Sequence, residues 1–291
     1  MTTAALIHVL VSGLATGSIY GLVGLSLVIV YNATRTVNFA QGEMFVVSTF
    51  VAWSAARAGW PLPLAFLAAV VAAAVLALVI ERAIIRRSIA ATHWDVLIIT
   101  LGLSLILRAL AGIVWSHDDF PFPSYFGNRP IAIGPARVVP VSLGIIGASV
   151  VLMALLGALF RFTRAGRAMR AVAQNQTAAW LMGISVPRVF SAAWILASVV
   201  GAVAGLLIAP VVFLSTKMGL LVINGFIAAV LGGFGSMPGV VVGGMLLGVI
   251  ENLAPLYLPT GIRYSVPFIL LIAILVVRPG GLAGRVHRRK V

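Results

Sequence analysis

The segment Asn38-Phe39-Ala40-Gln41-Gly42-Glu43-Met44-Phe45 puts a carboxylate at the start of an apolar stretch with no further charge up to Ala56. An ionisable group in or near a bilayer is costly, so it marks either a capped helix end or a functional polar site. On a helix Asn38 and Gln41 lie about 60° apart and Glu43 points roughly opposite Gln41, so one continuous helix cannot aim all three at one path. Asn38 with Gln41 three residues on fits an N-cap and its capping-box partner, and Glu43 in the first turn favours the positive helix end. The expectation is a capped helix start that shapes the inner mouth of a path. Arg108 is a second embedded charge, alone in its apolar run, and should face inward to pair with Glu43 or Glu251.

Other chemistries lack the side chains they need. Cysteine is absent, which removes disulfides, thiol nucleophiles and Cys-ligated metals. His8, His93, His117 and His287 are scattered without metal spacing. A phosphate-binding loop needs Gly-x-x-x-x-Gly-Lys-Ser/Thr, and the only lysines, Lys217 and Lys290, sit outside that context. No catalytic residue and no metal site are therefore expected, and a membrane-embedded enzyme finds no convergent set of acids, His or Cys.

The elements that must hold these charges are transmembrane helices. With 62% hydrophobic and 9% charged residues over 291 positions, the chain is too apolar for a soluble domain. Its continuous apolar runs match the roughly 20 residues a helix needs to cross hydrocarbon, unlike alternating barrel strands. The expected fold is an all-α polytopic bundle with spans near 6–31, 39–56, 62–81, 96–115, 141–160, 189–212, 219–233, 238–256 and 264–278. The start lacks a basic n-region and reads as a first permanent span. The net charge of +14 belongs to loops rather than to a nucleic-acid partner. With the N-terminus outside, fourteen basic residues fall on inner segments and five on outer ones, which puts the C-terminus in the cytoplasm.

Gly232-Gly233-Phe234-Gly235-Ser236-Met237-Pro238-Gly239 should break a regular helix. It is either a tight turn or irregular backbone lining a pathway, so 219–256 either crosses twice or re-enters. Gly13, Gly17 and Gly21, Gly201 and Gly205, and Gly239 to Gly248 form small-residue faces for close helix contact. The segment 161–188 reads as one amphipathic helix ending near Gly183. Arg167, Arg170, Gln174 and Thr177 share a face, opposite Met169, Val172, Gln176 and Trp180. Such a helix can lie on anionic membrane lipid or dock in a partner's groove. The whole chain, 1–291, is expected to be one permease domain, with 161–188 a cytoplasmic loop and 279–291 a basic tail.

Three segments resemble the integral-membrane permease subunits of branched-chain amino-acid type ABC importers. They are Asn38 to Glu43, Gly166 to Asn175 continuing to Ile184, and Ala228 to Gly239 followed by Gly243-Gly244, with Arg278-Pro279-Gly280-Gly281-Leu282 after the last span. The resemblance implies a bacterial inner-membrane subunit that pairs with a second, similar permease. It also implies two cytoplasmic ATP-binding subunits, which use the ATP and Mg, and an extracytoplasmic solute-binding protein. Under it, 161–188 becomes a coupling helix in an ATPase groove, with Arg167, Arg170, Gln174, Asn175, Thr177 and Gly183 at the contact. Asn38, Gln41, Glu43, Arg108, Gly232, Gly233, Gly235 and Pro238 would belong to the path or its inner mouth. The implied solutes are leucine, isoleucine and valine, or a related amino acid, amide or urea. The competing class is a secondary transporter or channel without ATPases. The chain departs from the family's pattern at Gln174-Asn175-Gln176, where acidic residues are common, and near Asn224, where a lysine is frequent.

Overall fold

The computed structural model describes residues 3–88, 93–127, 129–133, 136–259, 262 and 265–283. In chain order the helices are α1 (Thr3–Thr34), α2 (Gln41–Arg57), α3 (Leu62–Ala83), α4 (His93–Trp115), α5 (Pro140–Phe162), α6 (Arg164–Gln174) and α7 (Gln176–Leu181). They continue as α8 (Val186–Val212), α9 (Leu221–Gly232), α10 (Met237–Tyr257) and α11 (Val266–Val277). Short 3-10 turns run over Ile85–Ser88 and Thr216–Leu220, and β1 (Ile131–Ile133) pairs antiparallel with β2 (Ala136–Val138).

Among the described residues six helices, α1, α3, α4, α5, α8 and α10, are long and apolar enough to cross a membrane. The other apolar pieces are shorter: α2 has 17 residues, α9 continues the 3-10 turn in one helical run over Thr216–Gly232, and α11 has 12 residues. At 1.5 Å per residue a 12-residue helix covers only about 18 Å, so it does not reach across roughly 30 Å of hydrocarbon by itself. Among the described residues, the eight or nine expected segments thus correspond to six long spans and shorter apolar helices.

The chain forms two compact units. The first comprises Met1–Leu25, Ser124–Val150 and Ile223–Val291. In it α1 and α10 meet through glycine: a Cβ on Gly13 would fall 2.9 Å from the Val249 backbone, and one on Gly17 2.7 Å from Met245. Backbones this close are what small-residue faces permit. Ser236 caps α10 by accepting from Gly239 N at 3.2 Å. Gly233 turns the chain at φ 99°, a left-handed conformation that favours glycine. The residues after α11 fold back on this turn, with Leu282 N donating to Leu231 O (2.8 Å) and Ala283 N to Gly232 O (3.1 Å). The part of the basic tail beyond Ala283 lies outside the described residues.

The second unit comprises Ser26–Pro123 and Val151–Val222. Its centre is α2, in contact with α3, α4, α8 and the 217-region 3-10 turn. Ala65, Ala69, Ala73 and Ala77 line one face of α3 and are fully buried. Their spacing of four keeps every small side chain on one stripe, which lets α3 approach α2 and α8 closely. Phe45, Phe50, Trp194 and Leu206 fill the core between these elements.

Candidate functional site

The start of α2 is held by side chains that reach outward. The residue before the helix is Ala40, which offers no side-chain cap. Asn38 Oδ1 instead accepts from Ala40 N at 3.1 Å, an Asx turn, while its Nδ2 donates to Gln41 Oε1 at 3.2 Å. Gln41 Nε2 donates to the carbonyl of Ala197 on α8 at 3.0 Å. The expected capping box therefore does not form: the N-cap position falls on Ala40, and Gln41 Oε1, the atom that would accept from the N-cap backbone, accepts from Asn38 Nδ2 instead. Gly201 and Gly205 on α8 leave the space that Gln41, Phe45 and Thr49 occupy.

These contacts fix the depth of the motif. Gln41 meets Ala197, and Thr49 meets Gly205, so α2 and α8 run parallel. Ala197 lies eleven residues beyond Val186, about 16 Å along α8 at 1.5 Å per residue. The helix of the acidic motif thus begins partway along α8 rather than at its end. Residues 35–38 lead from the end of α1 to that point, and the turn over 39–40, closed by Asn38, starts α2.

Glu43 points away from Gln41, as helical geometry requires, and meets Arg108. Arg108 Nε donates to Glu43 Oε1 at 2.9 Å, and Nη2 contacts the same oxygen. Of the two acids that could partner Arg108, the structure selects Glu43. The carboxylate is 2% exposed, and its Oε2 is buried without a hydrogen-bond partner among the described residues. Gly219 makes room for it: a Cβ there would stand 2.6 Å from Glu43 Oε1. Seven residues along both helices, Phe50 stacks on Trp115 at 5.1 Å, so α4 also runs parallel to α2. Trp115 Nε1 donates to Ser54 Oγ (2.8 Å), and Trp53 packs on Phe120 at 4.6 Å. The ion pair thus sits about two turns below an aromatic layer, with polar groups on one side and rings on the other.

At the opposite end of this unit, 161–188 is two helices rather than one. Thr163 caps α6 by accepting from Gly166 N, and Asn175, with φ −155°, breaks the helix and caps α7 by accepting from Ala178 N. Asn strongly prefers that position because its side chain replaces an orphaned backbone partner. Arg167, Arg170, Gln174 and Thr177 are all exposed, but the break takes Thr177 off the face of the other three. Met169 and Val172 are buried as the periodicity predicts; Trp180 is not, and is 65% exposed beside Leu181 and Met182. Gly183, at φ 81°, ends α7, with Ile184 N donating to Ala179 O. Gly166 is buried where α6 meets α5, since a Cβ would collide with Leu159 O and Phe160.

Sequence reasoning missed one embedded acid. Glu81, 1% exposed, pairs with Arg86 through two bonds of 3.1 and 3.2 Å. Ser191 Oγ accepts from Arg86 Nη2 (2.7 Å) and donates to Glu81 Oε2 (2.8 Å), tying the end of α3 to the start of α8. The available signal was Glu81 five residues before Arg86 at a helix end, but Ser191 is 110 residues away. Gly232, Gly233, Gly235 and Pro238 form the α9–α10 turn in the first unit. No group of His, Cys, Asp or Glu that could hold a metal occurs among the described residues.

The six long apolar helices and the three sequence segments can now be set beside known proteins. The sequence model of the branched-chain amino acid transport system / permease component family matches residues 9–275. The chain belongs to this family. It is 31% identical to the high-affinity branched-chain amino acid transport system permease protein LivH of Escherichia coli K12, over 96% of each chain. It is also 31% identical to BraD of Pseudomonas aeruginosa over 97% of each, and 27% identical to a probable LivH of Methanocaldococcus jannaschii over 90% of this chain and 88% of that one. Among solved structures, PsaBC from Streptococcus pneumoniae in complex with Fab has a similar fold, with a TM-score of 0.52 and 15% identity over 94% of this chain and 92% of that one. Membership makes the chain a permease subunit of an ABC importer, a multi-pass inner-membrane protein that works within a multicomponent transport system.

Proposed function

We propose that this permease passes branched-chain amino acids, or a related small solute such as an amide or urea, by alternating access driven by partner ATPases. It acts beside a second permease subunit, two cytoplasmic ATP-binding subunits and an extracytoplasmic solute-binding protein. The chain itself is non-catalytic and binds no cofactor; ATP and Mg act on the ATP-binding subunits. The end of the second unit that carries α6 and α7 faces the cytoplasm, as does the C-terminus, and the N-terminus is extracytoplasmic.

The observation that carries this reading is the α6–α7 hairpin. It presents Arg167, Arg170, Gln174, Asn175 and Thr177 beside the uncovered side chains of Trp180, Leu181 and Met182, before the turn at Gly183. Exposed apolar side chains on a basic segment are the surface a protein groove accepts, and aromatic and Arg anchors dominate such contacts. Along the path, Asn38, Gln41, Glu43 and Arg108 supply polar groups where α2 begins, the kind of interrupted helix that transporters use near the midplane. Gly232, Gly233, Gly235 and Pro238 add a second interruption of regular helix.

Co-purification from membranes expressing all subunits tests it. The ATP-binding subunits should be retained by the unaltered permease and lost with Arg167→Glu/Arg170→Glu or Trp180→Asp. Retention by all these variants, or solute uptake by the purified chain alone in liposomes, would overturn the reading in favour of an ATPase-independent transporter. Binding of the hairpin to anionic vesicles with no ATPase retention would assign it to the lipid surface instead.

A further inference from the structure

We propose that Arg35 and Gln176 are positioning residues that form a latch, which transmits movement of the α6–α7 hairpin to the start of α2. The inference rests on the reading of that hairpin as the ATPase contact.

Two side-chain bonds cross between the same short stretches in opposite directions. Arg35 Nη2 donates to the carbonyl of Ala173, in the last turn of α6. Gln176, the first residue of α7, donates from Nε2 to the carbonyl of Ala33 at 3.2 Å, in the last turn of α1. Both acceptors are helix-terminal carbonyls, which have no partner within their own helix. Each donor therefore satisfies the other element's orphan group, and the Asn175 break that separates α6 from α7 is clasped from both sides.

Arg35 also holds an unusual backbone. Its φ is 61°, the left-handed region that non-glycine residues seldom enter. Glycine would suit the conformation, and strain of this kind persists where surrounding contacts over-determine it. The side chain that glycine would lack is the one gripping Ala173. The local geometry thus sacrifices backbone comfort and keeps the guanidinium.

The same turn redirects the chain. Immediately beyond it, residues 36–40 connect to Gln41, which is bonded to Ala197, and then to Glu43, which is paired with Arg108. Displacing the hairpin would pull on Arg35 and load a connection only five residues long. The alternative route runs from α7 through Gly183 into α8, whose Ala197 carbonyl holds Gln41; motion along it would reach 36–40 without Arg35 or Gln176, and would persist when either is removed.

The cysteine-free sequence allows a direct test. In the complete importer, single cysteines at Met182 on the hairpin and Val37 in the connecting segment are labelled with a maleimide, nucleotide-free and after trapping with ATP and vanadate. With the latch intact, the labelling rate at both positions changes several-fold on trapping. In Arg35→Gly and in Gln176→Ala the change at Met182 persists and the change at Val37 is lost, and Arg35→Lys, which keeps a donor, restores it. Arg35→Gly suits the backbone, and Gln176→Ala alters an exposed residue, so at least one folded variant is available. A response at Val37 that survives both variants overturns the latch, as does a Val37 that never responds while Met182 does. Failure of Met182 to respond, with ATPases not retained, overturns the hairpin reading itself and the latch with it.

Discussion

At the scale of single residues, the chain gains its polar features by pairing groups that local sequence would leave costly. Arg108 in the middle of an apolar helix is tolerable because Glu43 faces it, and Glu43 is tolerable because Gly219 leaves its carboxylate room. Removing one member of a buried pair strands the other. Arg108→Ala should cost about 3 kcal/mol, the low end for such changes because the arginine side chain is 35% exposed. Replacing both charges removes the stranded group, so Glu43→Gln/Arg108→Gln should recover more than half of that loss. Unfolding of the detergent-solubilised protein, followed by helical circular dichroism against denaturant, checks both values. An Arg108→Ala protein as stable as the parent would show that the pair carries no stability.

At the scale of elements, close backbone contact decides what can change. Gly42 lies against the Gly219 carbonyl, where a Cβ would collide with backbone that cannot rotate away. Gly42→Ala should therefore destabilise by about 1–3 kcal/mol through forced separation of α2 from the 3-10 turn. Gly102 on α4 has nothing within 4 Å of an added Cβ, so Gly102→Ala should be neutral or stabilise by up to about 1 kcal/mol from helix propensity. Thermal unfolding of the two variants side by side measures the contrast, and equal melting temperatures would contradict the packing argument. The same scale explains what the sequence made legible. Long apolar runs, the glycine break after α9 and the buried Met169 and Val172 follow from composition and period alone. The split at Asn175 did not, because Asn is tolerated within helices as well as at caps and only the chain's path selects the role. Gln41 departs from its expected capping role for a related reason: its amide nitrogen finds Ala197, 156 residues away, which local capping geometry cannot anticipate.

At the scale of the whole molecule, the distribution of charge should set the orientation. Basic residues cluster in 82–87, 161–170 and 278–290, and the loop at 116–123 and the 217-region carry few; by the positive-inside tendency the proposed orientation, with α6 and α7 in the cytoplasm, is the expected one. The second unit supplies positions that report each side by themselves: Ala58 and Lys217 lie exposed toward its aromatic end, and Met182 is 82% exposed on the hairpin. Because the chain has no cysteine, one introduced at each position is its sole thiol, and labelling is read on the purified chain. In intact cells a membrane-impermeant maleimide should label Ala58→Cys and Lys217→Cys, whereas Met182→Cys should react only after the membrane is permeabilised. The reverse pattern would place the hairpin outside, beyond reach of any ATPase, and the coupling role of Arg167, Arg170 and the Arg35 latch would fall together. Labelling of all three from outside would mean instead that the second unit does not traverse the membrane as its helix lengths require, since α8 alone, at 27 residues, extends about 40 Å.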